Sequence, residues 1–580
     1  MPKVSKSALL QISLTTLFAA GVFLFWRFVH PEALACAEEL QLFLFTPEYF
    51  FERLTYPGGI ATYLGEFITQ FYNLISLGAV ILALLFVVIQ RLTWRLMRSE
   101  GGDDSHYPMS FAPAILLLAI MGDENVLAPY VVSIILGLVA CLIFNLFTSS
   151  SSPIRRAALA LLIPAICFAG SGIYVLCAYA IAKSIKRRDY LEPILIIIYL
   201  ALCTTIGYRI SAYPLSRVLF GIGVYRMADA PILLPLFLAL VGLFPVLTSL
   251  LKMKMSRATV IAELGIIVVF AILLPHLTFD EFKYRVMRYD LLLRKRDWNE
   301  IISLAKRHEP HSPLELATVN FALAMRGELP NRMFEFPQVN SEGLLPVFSR
   351  EVFTTMMTSD IYYELGMLNT ARRFAFEAQE SIPNSQKSGR LTKRLAEVAI
   401  IDGHYELARR YLHLLKQTFA YSKWADDSEA LITDEAKVNA HPVYGRMRHR
   451  RVTTDFFYSD PEMDQMLGLL FNQDKSNRMA LDYLLTCELL TRNLTAFARY
   501  IPLMGQLPDG GMGPIPRAYQ EALCMVWAQH HSNFDGIPWP IDPTVRRNFI
   551  QFAQLTAPNG AQTPLPPHLA ASYWAFFIKR

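Results

Sequence analysis

The sequence predicts an all-α protein in two parts: a polytopic transmembrane helical bundle over residues 1–278, followed by a soluble α-solenoid over 279–580. Three observations carry that prediction. Long apolar runs follow one another through the first half. One of them, Val126–Phe147, has no charged residue over more than the roughly 20 positions a spanning helix needs. Beyond Phe279–Asp280 the chain turns into ordinary charged, soluble-type sequence with helical patterning and little β alternation. A short Gly–Ala–Arg–Arg–aromatic unit also occurs there twice.

Spans are expected at Leu9–Phe28, Tyr72–Gln90, Met109–Met121, Val126–Phe147, Leu191–Gly207, Pro231–Leu251 and Val260–His276. A further apolar segment, Ala157–Ser184, is broken by Pro164 and by Gly170-Ser171-Gly172. It is basic at both ends, with Arg155 and Arg156 before it and Lys183, Lys186, Arg187 and Arg188 after it. The bias of Lys and Arg toward cytoplasmic loops asks for both ends inside. Two short helices meeting at the Gly-Ser-Gly break satisfy this, as does a re-entrant hairpin, giving about eight to nine crossings. Lys3 and Lys6, Arg91, Arg95 and Arg98, and Lys252, Lys254 and Arg257 then share the inner side. The N-terminus is cytoplasmic, the first span is an uncleaved anchor, and the C-terminal half lies outside, in the periplasm of a bacterium whose inner membrane holds the bundle. A single ordinary span at 157–184 would instead place that half in the cytoplasm, with one basic cluster misplaced.

The formal net charge of +5 is mild and gives no sign of nucleic-acid binding. Seven cysteines show neither CxxC nor metal-ligand spacing, so no metal and no cofactor is expected. There is no P-loop, HExxH, GxSxG or dinucleotide fingerprint.

In the second half, Gly366-x4-Ala371-Arg372-Arg373-Phe374 recurs 37 residues on as Gly403-x4-Ala408-Arg409-Arg410-Tyr411. A turn glycine opens a helix, and a small alanine lets it pack closely on its predecessor. Degenerate copies stand at Asp297-Trp298-Asn299-Glu300-Ile301 and Asn493-x4-Ala498-Arg499-Tyr500. The unit resembles tetratricopeptide helical hairpins, whose period is about 34 residues. That resemblance implies a stacked solenoid whose concave face holds a protein partner. The basic run Arg446, Arg448, His449, Arg450 and Arg451, followed by Phe456-Phe457-Tyr458, is either a solvated loop or a site for a partner or lipid head group.

Candidate chemistry lies in the first outer loop, residues 29–71. Two short amphipathic helices joined at Pro57-Gly58-Gly59 are expected along the membrane surface. Glu39, Gln41, Glu66 and Gln70 would face a shared crevice, or the glutamates would simply face water. The loop from Tyr208 to Ala230 carries Arg209, Arg217 and Arg226, outside in this topology and so not placed there by orientation alone. Guanidinium forks match phosphate, so anionic lipid head groups or a lipid-linked phosphate are one class of ligand for them; solvent exposure or pairing with the acidic first loop is the alternative. Glu263 stands nearly alone within the last span.

The string Glu39-x-Gln41-Leu42-Phe43-Leu44, with Pro57-Gly58-Gly59-x3-Tyr63-Leu64-Gly65-x-Phe67-x2-Gln70-Phe71, resembles an uncharacterised bacterial family of polytopic membrane proteins with helical-repeat tails, and brings no activity with it. The architecture also resembles the GT-C membrane glycosyltransferases. That resemblance implies a polyprenyl-phosphate-linked sugar donor, a catalytic acid at Glu39 or Glu66, and substrate contacts from Gln41, Gln70, Arg209, Arg217 and Arg226. Their acid is usually Asp, and His30–Phe71 contains none. The leading expectation is an envelope protein whose bundle anchors a partner-binding repeat domain. A transferase is second. A transporter is third, since the spans show no internal duplication.

Overall fold

The structure is a computed structural model and describes residues 6–147, 171–210, 213–220, 232–250, 257–383, 386–452, 459–510, 513–556 and 565–579. Among these residues the regular elements are all helices. The chain divides into two compact units. The first is Met1–Arg285 with the excursions Ile382–Gly389 and Leu414–Trp424. The second is Val286–Ser381, Arg390–His413 and Ala425–Arg580.

Six helices of the first unit are long and apolar enough to cross a membrane: Ser7–Val29, Ile75–Ser99, Ala128–Leu146, Leu191–Ile210, Leu233–Leu250 and Val260–Thr278. Each matches an expected span. The seventh, Met109–Met121, is different. Here the chain runs as a 3-10 stretch, Asp104–Phe111, into a nine-residue α-helix, Ala112–Ile120. Pro108, inside the 3-10 stretch, cannot donate a backbone hydrogen bond, and Pro113 sits in the first turn of the α-helix, where a helix starts readily. The α-helical part rises only about 13 Å against a hydrocarbon core of about 30 Å. Of the expected hairpin, the helix Ser171–Arg187 is described. Residues 157–170, with the break at Gly170, lie outside the described residues.

Contacts fix which helix ends lie together in this unit. At one end the His30 ring stacks on Phe279 at 4.6 Å, and Tyr284 donates its hydroxyl to the Gly122 carbonyl at 3.2 Å. Lys283 pairs with Glu124 there at 3.1 Å. At the other end Glu100 meets Lys183 at 3.0 Å and Lys186 at 3.5 Å, and Lys186 reaches Ser249 at 3.3 Å. Close packing between relies on small residues, as is usual where no hydrophobic force drives helices together. A Cβ added at Gly242 would lie 2.1 Å from the Val175 carbonyl oxygen, and one at Gly137 would lie 2.6 Å from that of Gly172.

The loop after the first span folds into helices Pro31–Glu39, Pro47–Leu54 and Gly59–Thr69. Pro31 and Pro47 open the first two, where a missing N–H costs nothing. Thr46 caps the second by accepting from the Tyr49 amide at 3.2 Å. Gly58, at φ 79°, makes the left-handed turn into the third. Gly65 lets that helix lie on Pro129, since an added Cβ would fall 2.3 Å from the Pro129 nitrogen. The excursions join here. The Phe45 amide donates to the Gln417 carbonyl at 2.9 Å, and the Phe71 and Phe419 rings sit 5.3 Å apart.

The second unit is built of helical hairpins. Val352–Leu365 pairs with Leu368–Ser381 across Gly366, at φ 96°, and buried Ser359 donates to the Ala371 carbonyl at 2.8 Å. Gly389–Asp402 turns into Tyr405–Lys416 at Gly403, φ 77°. Ala371 and Ala408 are fully buried, as close helix approach requires. At the two degenerate copies the left-handed turn is made by Arg296, φ 54°, and Arg492, φ 59°. Asp297 and Asn493 then cap the helices that follow. A half-buried ion network ties Arg390 to Asp290 at 2.9 Å and to Asp360 at 2.5 Å, while Arg394 reaches Asp360 at 2.7 Å and stacks on Tyr363. The C-terminal aromatics pack inward: Trp574 lies against Phe549 and Phe552, and its indole N–H donates to the Glu521 carbonyl at 2.8 Å.

Candidate functional site

Glu66 sits on the inner face of helix Gly59–Thr69 and is only 2% exposed. Its Oε2 accepts from the Tyr49 hydroxyl at 2.6 Å and from the Arg53 Nε at 2.8 Å. Its Oε1 accepts from the Gln386 amide at 2.5 Å. Tyr49 and Arg53 stand one turn apart on helix Pro47–Leu54, which Thr46 fixes, so both reach the same carboxylate. Burial, and then the Glu66 charge, raise the Tyr49 hydroxyl well above its usual range, so it stays a neutral donor. Burial works against the Arg53 charge, but Glu66 and Tyr49 more than offset it and keep the guanidinium protonated. Sequence reasoning missed these partners. Arg53 carried a signal, being the one Lys or Arg among six glutamates in 30–71. Gln386, 320 positions from Glu66, carried none.

The other acidic-loop candidates are also buried: Glu39 at 1%, Gln41 at 6% and Gln70 at 7% exposure. None faces water in the way an interfacial lid would present it. The Gln70 amide donates to the Phe67 carbonyl at 2.9 Å. The Gln41 and Gln70 side-chain oxygens are enclosed and accept no hydrogen bond among the described residues. Such buried acceptors are uncommon in native folds.

Arg209 is exposed at the end of helix Leu191–Ile210, and Arg217 is half-buried in the short helix Leu215–Phe220. Arg226 lies outside the described residues. This segment does adjoin the acidic loop: the Tyr56 and Tyr213 rings are 6.0 Å apart, and Pro57 packs on Gly207. The arginine on Glu66, however, is Arg53.

At the opposite end of the bundle Glu263 stands 3.8 Å from Nδ1 of buried His106. Glu263 also borders a 290 Å³ cavity that is otherwise apolar, walled by Ile115, Phe244, Ile267 and Phe270 among others. A second cavity, 410 Å³, runs between Leu116, Ile120, Leu234, Phe237 and Leu240 to a rim holding Asp123, Glu124, Asp280 and Lys283. An apolar shaft below a charged rim has the chemistry of an amphiphile site, with acyl chain in the shaft and polar head at the rim. Among the described residues no three His, Cys, Asp or Glu side chains converge as a metal site would require.

No curated protein and no solved structure matches the chain. One family model, described as a family of unknown function (DUF6057), matches residues 6–580, and the chain belongs to that family.

Proposed function

We propose that the protein is a membrane-anchored adaptor. The bundle of residues 1–278 sits in a bacterial inner membrane. It carries a tetratricopeptide-like solenoid, residues 279–580, that binds a protein partner on the periplasmic side, and membrane lipid fills the grooves between its helices. The observation that carries this reading is the state of Glu66. A transferase base must present a carboxylate oxygen to its acceptor, whereas both oxygens of Glu66 are engaged by Tyr49, Arg53 and Gln386. That arrangement is a clamp. It ties an excursion of the later chain to the acidic loop. The GT-C reading then rests on Glu39, with Arg209 and Arg217 as phosphate ligands, and no observation favours it over the adaptor.

The test is complementation of a deletion strain, with protein level and thermal stability measured for each variant. If Glu66 is a clamp, Glu66→Gln and Gln386→Ala weaken the same contact. Both should lower the melting temperature, by the equivalent of about 1–3 kcal/mol for a buried charge-assisted hydrogen bond, and both should complement. Glu39→Gln should complement as well. A null Glu66→Gln or Glu39→Gln at normal protein level, beside a fully active Gln386→Ala, would assign the carboxylate to chemistry and end the adaptor reading.

A further inference from the structure

The second unit contains a polar cavity of 380 Å³ that none of the readings above uses. It opens between helix Met463–Gln473, helix Arg478–Leu490 and the 3-10 turn Ser341–Gly343. Three carboxylates line it, Glu342, Asp464 and Glu488, and no Lys, Arg or His does. Glu488 is only 5% exposed, accepts a hydrogen bond from the Asn493 side chain, and makes no ion pair among the described residues. Asp464 accepts a hydrogen bond from the Tyr500 hydroxyl at 2.8 Å, which holds its carboxylate in place. Tyr483 lines the same cavity. It is fully buried, and its hydroxyl has no hydrogen-bond partner among the described residues.

A buried carboxylate is costly unless a positive charge or several donors face it. Glu488 has one such donor, Asn493, and no facing positive charge in the cavity, and the enclosed Tyr483 hydroxyl is an unmet polar group in the same space. One occupant answers both: a cation with directed N–H donors. A bare metal ion does not fit, because no three ligands converge. A long cationic side chain fits the volume and reaches the carboxylates at the cavity wall. Three arginines of the chain's own basic run are paired elsewhere: Arg448 with Glu435, Arg450 with Asp474 and Arg451 with Asp402.

We infer that this cavity is the partner-binding pocket of the adaptor and that it takes an arginine or lysine side chain presented by a protein segment, with Glu488 and Asp464 as counterions and Tyr483 as an added hydrogen-bonding group. The identity of the partner rests on the adaptor reading; the pocket's cation selectivity does not. Burial, and then the Asp464 charge, push Glu488 up to about 7. Around it, Cys487 is pushed up to about 12 by burial and stays a thiol, Tyr483 and Tyr500 stay neutral, and Arg499 is the nearby cation acting on Glu488. A cation binds the ionised form of Glu488, so affinity should rise as pH increases through about 7.

The experiment uses the full chain in detergent micelles and a fluorescein-labelled peptide, acetyl-Gly-Ser-Arg-Ser-Gly-amide, followed by anisotropy. The control is the same peptide with citrulline, which keeps the shape and removes the charge. The arginine peptide should bind saturably, about tenfold more tightly than citrulline, and more tightly at about pH 8 than at about pH 6. The double variant Asp464→Asn with Glu488→Gln should remove that preference. Should the double variant unfold, Asp464→Asn alone, whose side chain is only half-buried, reads the same loss. Equal binding of citrulline, or a preference unchanged in the folded variant, overturns the pocket. Displacement of the peptide by equimolar 1,4-diaminobutane overturns its assignment to a protein segment. Complementation by a variant that no longer binds the peptide overturns its role as the partner site. A catalytic outcome at Glu66 would sink the adaptor reading and leave the binding result standing.

Discussion

Half-buried Asp360 and buried Asp482 are aspartates of the second unit whose surroundings push them in opposite directions. Burial raises Asp360, but the facing Arg390 and Arg394 outweigh it and hold the carboxyl below its usual range. Burial lifts Asp482 to about 6, and Arg478, one turn away at 3.5 Å, and the Tyr519 hydroxyl only partly offset this. The linkage signs follow. Asp360 contributes stability that is present above the unfolded pKa of about 3.9 and lost as pH falls through its lower folded value. Asp482 binds its proton more tightly folded than unfolded, so it lowers stability progressively as pH rises from about 4 to about 6, by on the order of 2–3 kcal/mol above that. In melts at about pH 8, Asp482→Asn should therefore stabilise by up to about 2 kcal/mol and show little effect at about pH 4. Asp360→Asn should destabilise by about 1–3 kcal/mol at neutral pH, because it removes a carboxylate that two half-buried guanidinium groups share, while Arg390 keeps Asp290 and Arg394 keeps Glu397. Similar effects at the two sites would refute the contrast. Such distinctions are not legible in sequence, since both residues are single aspartates on helices. The same holds for the acidic loop. Its residue types point to Glu39, Gln41, Glu66 and Gln70, and all four are buried there. What engages Glu66 depends on a residue brought in by tertiary folding.

At the scale of elements, the spans and hairpins that were legible are those whose physics is local. An uninterrupted apolar run of about 20 residues has one outcome in a membrane, and six runs gave six helices. Met109–Met121 is built differently, as a 3-10 stretch holding Pro108 followed by the short α-helix Ala112–Ile120, and apolar composition alone carries no sign of that. The repeat glycines were legible because a left-handed turn between helices favours Gly. Arg296 and Arg492 make the same turn against preference, and there the neighbouring caps Asp297 and Asn493 were the better signal. The two glycines separate strain from crowding. An added Cβ at Gly403 meets nothing within 4 Å, while one at Gly366 lies 3.0 Å from Arg450 Cβ. Gly403→Ala should cost about 1 kcal/mol, the left-handed penalty alone. Gly366→Ala should cost more, since Arg450, whose guanidinium donates to the Glu364 carbonyl, must also shift. Thermal melts of the two variants side by side decide it, and a larger loss at Gly403 would contradict the turn geometry.

At the scale of the whole chain, the contacts within the first unit sort its helix ends into two groups before any membrane is considered. His30, Gly122, Glu124, Phe279 and Tyr284 meet at one end; Glu100, Lys183, Lys186 and Ser249 meet at the other. The charges are sorted the same way. Arg91, Arg95 and Arg98 lead into Glu100, and Lys183 and Lys186 lie beside it with Arg187 and Arg188 next in sequence, whereas the His30 end gathers Glu32, Asp123, Glu124 and Asp280. The excess of Lys and Arg belongs in the cytoplasm, so the Glu100 end should face inward and the end of Val260–Thr278 outward. Paired reporter fusions after Glu100 and after Asp280 separate the two parts of this argument. Alkaline phosphatase should be active after Asp280 and silent after Glu100, and green fluorescent protein should give the reverse. If both fusions report opposite to this, the ends are grouped correctly and the bundle is inverted, so its charge bias does not set its orientation. If both report the same side, the grouping itself fails. That failure would also remove the second half of the hairpin, because Ser171–Arg187 reaches the Glu100 end through the Tyr179, Lys183 and Lys186 contacts that define it.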